Sequence, residues 1–149
     1  MPTHALWVHG TSVHQDTQGF YINELRAGWG AEFQSTGYAW FQFAIPTPVI
    51  LADKRAILNK VFVLYKAERG ARVTALHLWD GPTKGQRWDN LNLSGDHSAA
   101  IDNENSWLPN AVPMSWGLGI SVGVDFGQSS LAGVPKITFS AAGADFSIP

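Results

Sequence analysis

The chain holds five histidines, His4, His9, His14, His77 and His97. A neutral imidazole can ligate metal or carry a proton near neutral pH, and a carboxylate beside it can hold it ready as a general base. The residues on offer for such acid–base work are His9, His77 and His97, with Asp80 or Asp96 to orient one of them. Asp96 and His97 are adjacent in sequence and do not face each other on a strand, so a partner for His97 has to arrive from elsewhere, such as Asp80, Asp89 or Asp102. His4, His9 and His14 recur at intervals that alternate faces on a strand, and no Cys/His spacing of a zinc site is present. Gly10-Thr11-Ser12 and Gly127-Gln128-Ser129-Ser130 do not make the G-x-S-x-G turn that exposes a nucleophilic serine. Gly28-Trp29-Gly30 lacks the rest of a dinucleotide fingerprint. An enzyme built from these residues would be a cofactor-free isomerase, cyclase or hydrolase working in a cavity.

Tryptophan suggests a different chemistry. Seven indoles in 149 residues is a clear excess. An indole offers a flat apolar face and one N–H donor. A sugar ring presents a C–H face edged by hydroxyls, so an indole next to Asp, Asn or Gln can both stack on it and bind its rim. Trp88 lies beside Gln86, Arg87, Asp89 and Asn90, and Trp107 follows Asp102, Asn103, Glu104 and Asn105. This places Trp88 and Trp107 as stacking surfaces, with Asp89, Asn90, Asp102 and Asn105 as hydrogen-bonding groups. Trp7, Trp40, Trp79 and Trp116 fall inside strand patterns and are expected in the core. The oxygens of Asp102 and Glu104 could serve calcium as a cofactor, although the run does not follow the EF-hand template.

These side chains must be positioned by strands, because period-two alternation dominates the chain. The clearest case is residues 116–126, where Trp116, Leu118, Ile120, Val122, Val124 and Phe126 share one face, and Gly117, Gly119, Ser121, Gly123 and Asp125 the other. Glycines within a strand mark close approach by another backbone or a ligand. In residues 72–80, His77 and Trp79 share a face. Residues 29–34 and 38–45 read as a hairpin around Ser35-Thr36-Gly37. Gly10 reads as a bulge or turn, residues 51–58 (LADKRAIL) as a helix, and residues 94–113 as a long polar loop. The expected fold is all-β: a single-domain antiparallel β-sandwich of jelly-roll type over residues 1–149, with about eight to nine strands. A ligand-holding β-barrel is the alternative.

Ten basic and twelve acidic residues leave a net charge of −2, which argues against a nucleic-acid partner. No apolar run is long enough to span a membrane. There is no cysteine, so disulfides and thiolate chemistry are excluded. No secretory signal is visible, which gives a cytoplasmic expectation that leaderless export would also satisfy.

Three segments carry a resemblance: LWVHGTSV at 6–13, NLSGDHS at 92–98 and WGLGISVGVDF at 116–126. Together they resemble an uncharacterised family of small single-domain β-sandwich proteins. That resemblance implies a stand-alone domain and no particular activity. The function expected from the residues themselves is a non-catalytic binding module for a carbohydrate or similar small polar ligand. The alternatives are the small enzyme described above and a structural protein that self-associates as a homo-oligomer through its glycine face.

Overall fold

The computed structural model describes residues 2–16 and 23–149. Its fifteen strands begin with β1 (Thr3–His9), β2 (His14–Gln15), β3 (Asn23–Ala27), β4 (Gly30–Gln34) and β5 (Gly37–Ile45). Then come β6 (Ile50–Leu51), β7 (Lys54–Arg55), β8 (Ile57–Glu68), β9 (Arg72–Asp80) and β10 (Thr83–Trp88). The last five are β11 (Gly95–His97), β12 (Ser106–Trp107), β13 (Val112–Pro113), β14 (Leu118–Gly127) and β15 (Lys136–Ser147). Nine of them have five or more residues, in line with the expected eight to nine.

All pairings are antiparallel. The larger sheet runs β11-β8-β15-β4-β3, with β1 also on β15 and β12 and β13 also on β8. The smaller sheet runs β10-β9-β14-β5-β2. The two pack face to face as a jelly-roll sandwich. Strand alternation decides what lies between them: Phe41, Phe43 and Phe126 from the smaller sheet meet Phe33, Phe139 and Phe146 from the larger, all essentially inaccessible to solvent. Phe41 and Phe139 stand 5.1 Å apart across the gap, and Phe43 meets Phe139 edge-on at 5.5 Å. Gly10 starts a short 3-10 turn after β1, and a side chain there would run into the Phe139 carbonyl.

Local chemistry overrode several sequence expectations. Residues 51–58 are not helical. Ala52 and Asp53 both take positive φ (48° and 62°), the geometry of a tight two-residue hairpin turn, and β6 and β7 pair across it. Residues 29–45 are not one hairpin, because β4 pairs with β3 and β15 while β5 pairs with β14 and β2. Ser35 and Thr36 instead carry the chain from one sheet to the other. The polar segment 94–113 is threaded with short strands, since β11, β12 and β13 add successively along the edge of β8.

Candidate ligand-binding face

In β14, alternation buries Leu118, Ile120, Val122, Val124 and Phe126. It turns Gly119, Ser121 and Gly123 to the outer face of the smaller sheet. The same parity turns out Trp40 and Gln42 of β5, and His77 and Trp79 of β9. Register then sets rows across the sheet. Ser121 stands opposite both Gln42 and His77, and beyond them Gln42 pairs with His14 and His77 with Arg87. Gly119 stands opposite Ala44 and Trp79, with Lys84 next to Trp79. Gly123 stands opposite Trp40 and Ala75.

Small residues on β14 thus form a floor between larger side chains. A Cβ at Gly123 would lie 3.1 Å from the Trp40 ring, and one at Gly119 would lie 3.6 Å from Trp79 Cβ. Over this floor runs an open depression of about 550 Å³, lined among others by Gln42, Trp79, Gly117, Gly119 and Ser121. It adjoins a second of about 270 Å³, lined by Asp16, Trp40, His77 and Lys84 together with the shared Gln42, Trp79 and Ser121.

The polar groups here are locked. Trp79 Nε1 donates to Ser121 Oγ at 3.0 Å, Ser121 donates to Gln42 Oε1, and Gln42 Nε2 donates to Asp16 Oδ1 at 3.0 Å. His77 Nε2 lies 2.8 Å from Asp89 Oδ1, and the His77 ring packs 4.8 Å from that of Trp40. The bond from His77 holds the Asp89 carboxyl below the usual carboxylate range, helped by Arg87 and Lys84. Lys84 Nζ sits 5.7 Å from the Trp79 ring centre, a cation–π contact.

Of the residues singled out from sequence, His77 and Asp89 come together at this face. Asp80 does not orient a histidine. Both its oxygens are taken by backbone N–H groups, of Ser115 at 2.8 Å, Trp116 at 2.8 Å and Gly117 at 3.1 Å. Burial raises its pKa, but those three donors and Arg55 outweigh it and leave the carboxyl lowered. Asp96 likewise does not orient His97, because it accepts the backbone N–H and hydroxyl of Ser98. His9 serves its own turn, bonding Thr11 Oγ1 and the Gly28 carbonyl, each at 2.9 Å.

The structure places Trp107, Asn105 and Trp88 away from this outer face. Trp107 is 8% exposed and belongs to the core, so it offers no stacking face. Asn105 is fully buried, its amide donating to the carbonyls of His97 and Ala100 and its oxygen accepting Asp102 N–H. Trp88 stands opposite the buried Leu76 and packs on the core from the inner side of β10. Asn90 is an exposed turn residue with φ of 58°.

Asp102 and Glu104 meet at His97. Asp102 Oδ2 is 2.7 Å from Nδ1, and Glu104 Oε2 is 2.9 Å from Nε2, which also lies 2.8 Å from the Ser94 carbonyl. Burial lowers the His97 pKa, but the Asp102 bond, the Ser94 carbonyl and the two negative charges outweigh it and leave the imidazole raised. The neighbouring Tyr65 hydroxyl donates to the Glu104 carbonyl at 2.8 Å, and burial pushes this phenol's pKa up. Among the described residues, no group of three or more His, Asp or Glu is placed to hold a metal ion.

Trp7, Trp40, Trp79 and Trp116 also depart from expectation. Trp40 and Trp79 are half-buried on the outer face, Trp7 is 36% exposed over Gly143, and Trp116 is 72% exposed. Sequence pointed to this face through the glycine side of β14 and put His77 and Trp79 on one side of β9, but assigned Trp79 to the core. Gln42 and Asp16 carried no signal, because their meeting depends on which strands become neighbours.

No protein-family model matches the chain, and no curated protein does, which is consistent with the uncharacterised family it resembles. Among solved structures, a xylan-binding module CBM15 superposes with a TM-score of 0.53 at 12% identity, covering 99% of both chains. The CBM36-1 domain of a multidomain xylanase from the hindgut metagenome of Trinervitermes trinervoides gives a TM-score of 0.45 at 11% identity, over 95% of this chain and 96% of that one. The CBM35 from Paenibacillus barcinonensis gives 0.38 at 15% identity, over 100% and 98%. The first of these supports the fold alone, an antiparallel β-sandwich like that of the xylan-binding module.

Proposed function

We propose that this protein is a non-catalytic carbohydrate-binding module whose ligand lies on the outer face of the five-stranded sheet. The observation that carries this reading is the pair of indoles, Trp40 and Trp79, on either side of a floor made of Gly119, Ser121 and Gly123. Stacking on aromatic faces supplies apolar contact, and Gln42, His14, His77, Asp89 and Lys84 supply donors and acceptors around it. The preformed hydrogen-bond chain from Trp79 to Asp16 lowers the ordering cost of binding. Likeness of fold to a module named for xylan binding supports the class of ligand and leaves the sugar open.

Affinity electrophoresis through gels containing xylan, cellulose, mannan or other soluble polysaccharides tests the reading, with Trp79→Ala and Trp40→Ala beside the parent protein. Retardation by one polysaccharide, lost in both variants, is the expected result. Unretarded migration in every gel overturns it.

The calcium expected at Asp102 and Glu104 would have to compete with His97 for both carboxylates. Repeating the gels with chelator shows whether a cation contributes.

One observation favours an acid–base reading as second choice: His77 and Asp89 form an imidazole–carboxylate pair at the rim of the groove. Release of reducing sugar that disappears in His77→Ala would establish it over simple binding.

A further inference from the structure

Trp116 lies just beyond the groove and is 72% exposed, an unusual position for an indole. Its ring rests on Gly81, where a Cβ would stand 3.1 Å from Trp116 Cβ and Cδ1. Its backbone is held from several sides. Asp80 Oδ2 accepts Ser115 N–H, and Oδ1 accepts those of Trp116 and Gly117. Arg55 Nη1 donates to the Ser115 carbonyl at 3.0 Å, and Gly81 N–H donates to the Gly117 carbonyl at 2.8 Å. An apolar ring left in water on a fixed backbone has the makings of a binding hot spot, because little ordering remains to be done.

The depression over Gly119 is lined also by Gly81 and Gly117, the two residues that adjoin Trp116. From residue 123, under Trp40, to residue 117 the strand rises roughly 20 Å at about 3.3 Å per residue. Trp40, Trp79 and Trp116 therefore mark successive stations along β14.

We propose that Trp116 is a third stacking position, that Asp80 is its positioning residue, and that the ligand is a glycan chain long enough to run from Trp40 past Trp79 to Trp116. This rests on the carbohydrate reading and narrows its substrate class to oligo- or polysaccharide chains. Single sugars and disaccharides reach only part of the row.

The test is calorimetric titration with xylohexaose and cellohexaose against xylobiose and cellobiose. The parent protein is expected to bind a hexasaccharide more tightly than its disaccharide. Trp116→Ala should weaken hexasaccharide binding roughly tenfold, about the value of one aromatic stack, and leave disaccharide binding unchanged. Trp116→Phe should recover part of the loss. Asp80→Ala should reproduce the loss with hexasaccharide alone, and Asp80→Asn should fall between. The Trp116 variants leave Asp80 and its bonds untouched, so they decide the matter even if Asp80→Ala folds poorly. Unchanged hexasaccharide affinity in Trp116→Ala, or equal losses for both lengths, overturns this proposal alone. No binding of any oligosaccharide by the parent protein overturns the carbohydrate reading with it.

Discussion

Trp40 rests on Gly123. A Cβ at residue 123 would stand 3.1 Å from Cη2 and 3.2 Å from Cζ3 of the indole, and 3.2 Å from Ala75 Cβ on the other side. Gly123→Ala should therefore lift the indole and strain the sheet, costing about 1–3 kcal/mol of stability along with ligand affinity. Gly119→Ala is the comparison, since its Cβ would find only ordinary contact at 3.6 Å from Trp79 Cβ. It should raise the groove floor and weaken binding with little change in stability. Urea denaturation and calorimetry on the two variants separate the effects.

Ser121 is 4% exposed and joins two side chains on the outer face, Trp79 and Gln42. Ser121→Ala leaves the Trp79 N–H and the Gln42 carbonyl oxygen without their mutual partner, at a cost of about 1–3 kcal/mol. Affinity should fall as well, because the Trp79 ring loses the bond that fixes its orientation. Denaturant midpoints and ligand titration on the same preparation measure both.

Trp107→Ala should act through the core. Removing a buried indole costs about 3–5 kcal/mol, while the molecules that remain folded should bind ligand as the parent does. Asn105→Ala should behave alike, since it orphans three backbone groups in the same loop. Affinity lost from fully folded protein would restore Trp107 to the ligand site.

The loop around His97 should be pH-sensitive. The folded imidazole has a raised pKa, so its contribution to stability is complete below the unfolded value, near 6.5, and is lost as pH rises through the higher folded value. Asp102 runs the other way. Burial raises its pKa, but the His97 bond and charge and the backbone N–H groups of Glu104 and Asn105 outweigh that and leave it lowered, so its contribution disappears as pH falls through the folded value. Thermal midpoints should decline as pH rises above about 6.5 in the parent protein and lose that slope in His97→Gln. An NMR titration of His97 with a midpoint at or below 6.5 would contradict the assignment.

The sandwich was legible because burial on one side of a strand writes itself as alternation, and β14 is the plainest case. The site was half legible. The outward glycines announced that something lies close to β14, and His77 with Trp79 were placed on one face. The partners could not be read, because neighbours across a sheet come from pairing between distant segments: Gln42 reaches Ser121 only after β5 joins β14. Trp107 and Asn105 misled for a related reason. Polar flanks look like a surface loop, but β12 lays Trp107 onto β8, and the Asn105 amide substitutes for backbone bonds that a curled segment cannot make for itself. The missed turn at Ala52-Asp53 has another cause, because neither residue is the glycine that usually marks positive φ.

The alternation of β14 places the groove floor and the hydrophobic core on opposite sides of one strand. A slip of one residue would exchange them, turning Ile120 and Val122 to water and Ser121 to the phenylalanines. Register and recognition are therefore secured together, and loosening one endangers the other. Outward positions 40, 77 and 119 escape this coupling, because their side chains can vary without entering the core and without breaking the bonds of Ser121. A combinatorial library confined to those three positions would reshape the groove while the Trp79–Ser121–Gln42 bonds stay in place.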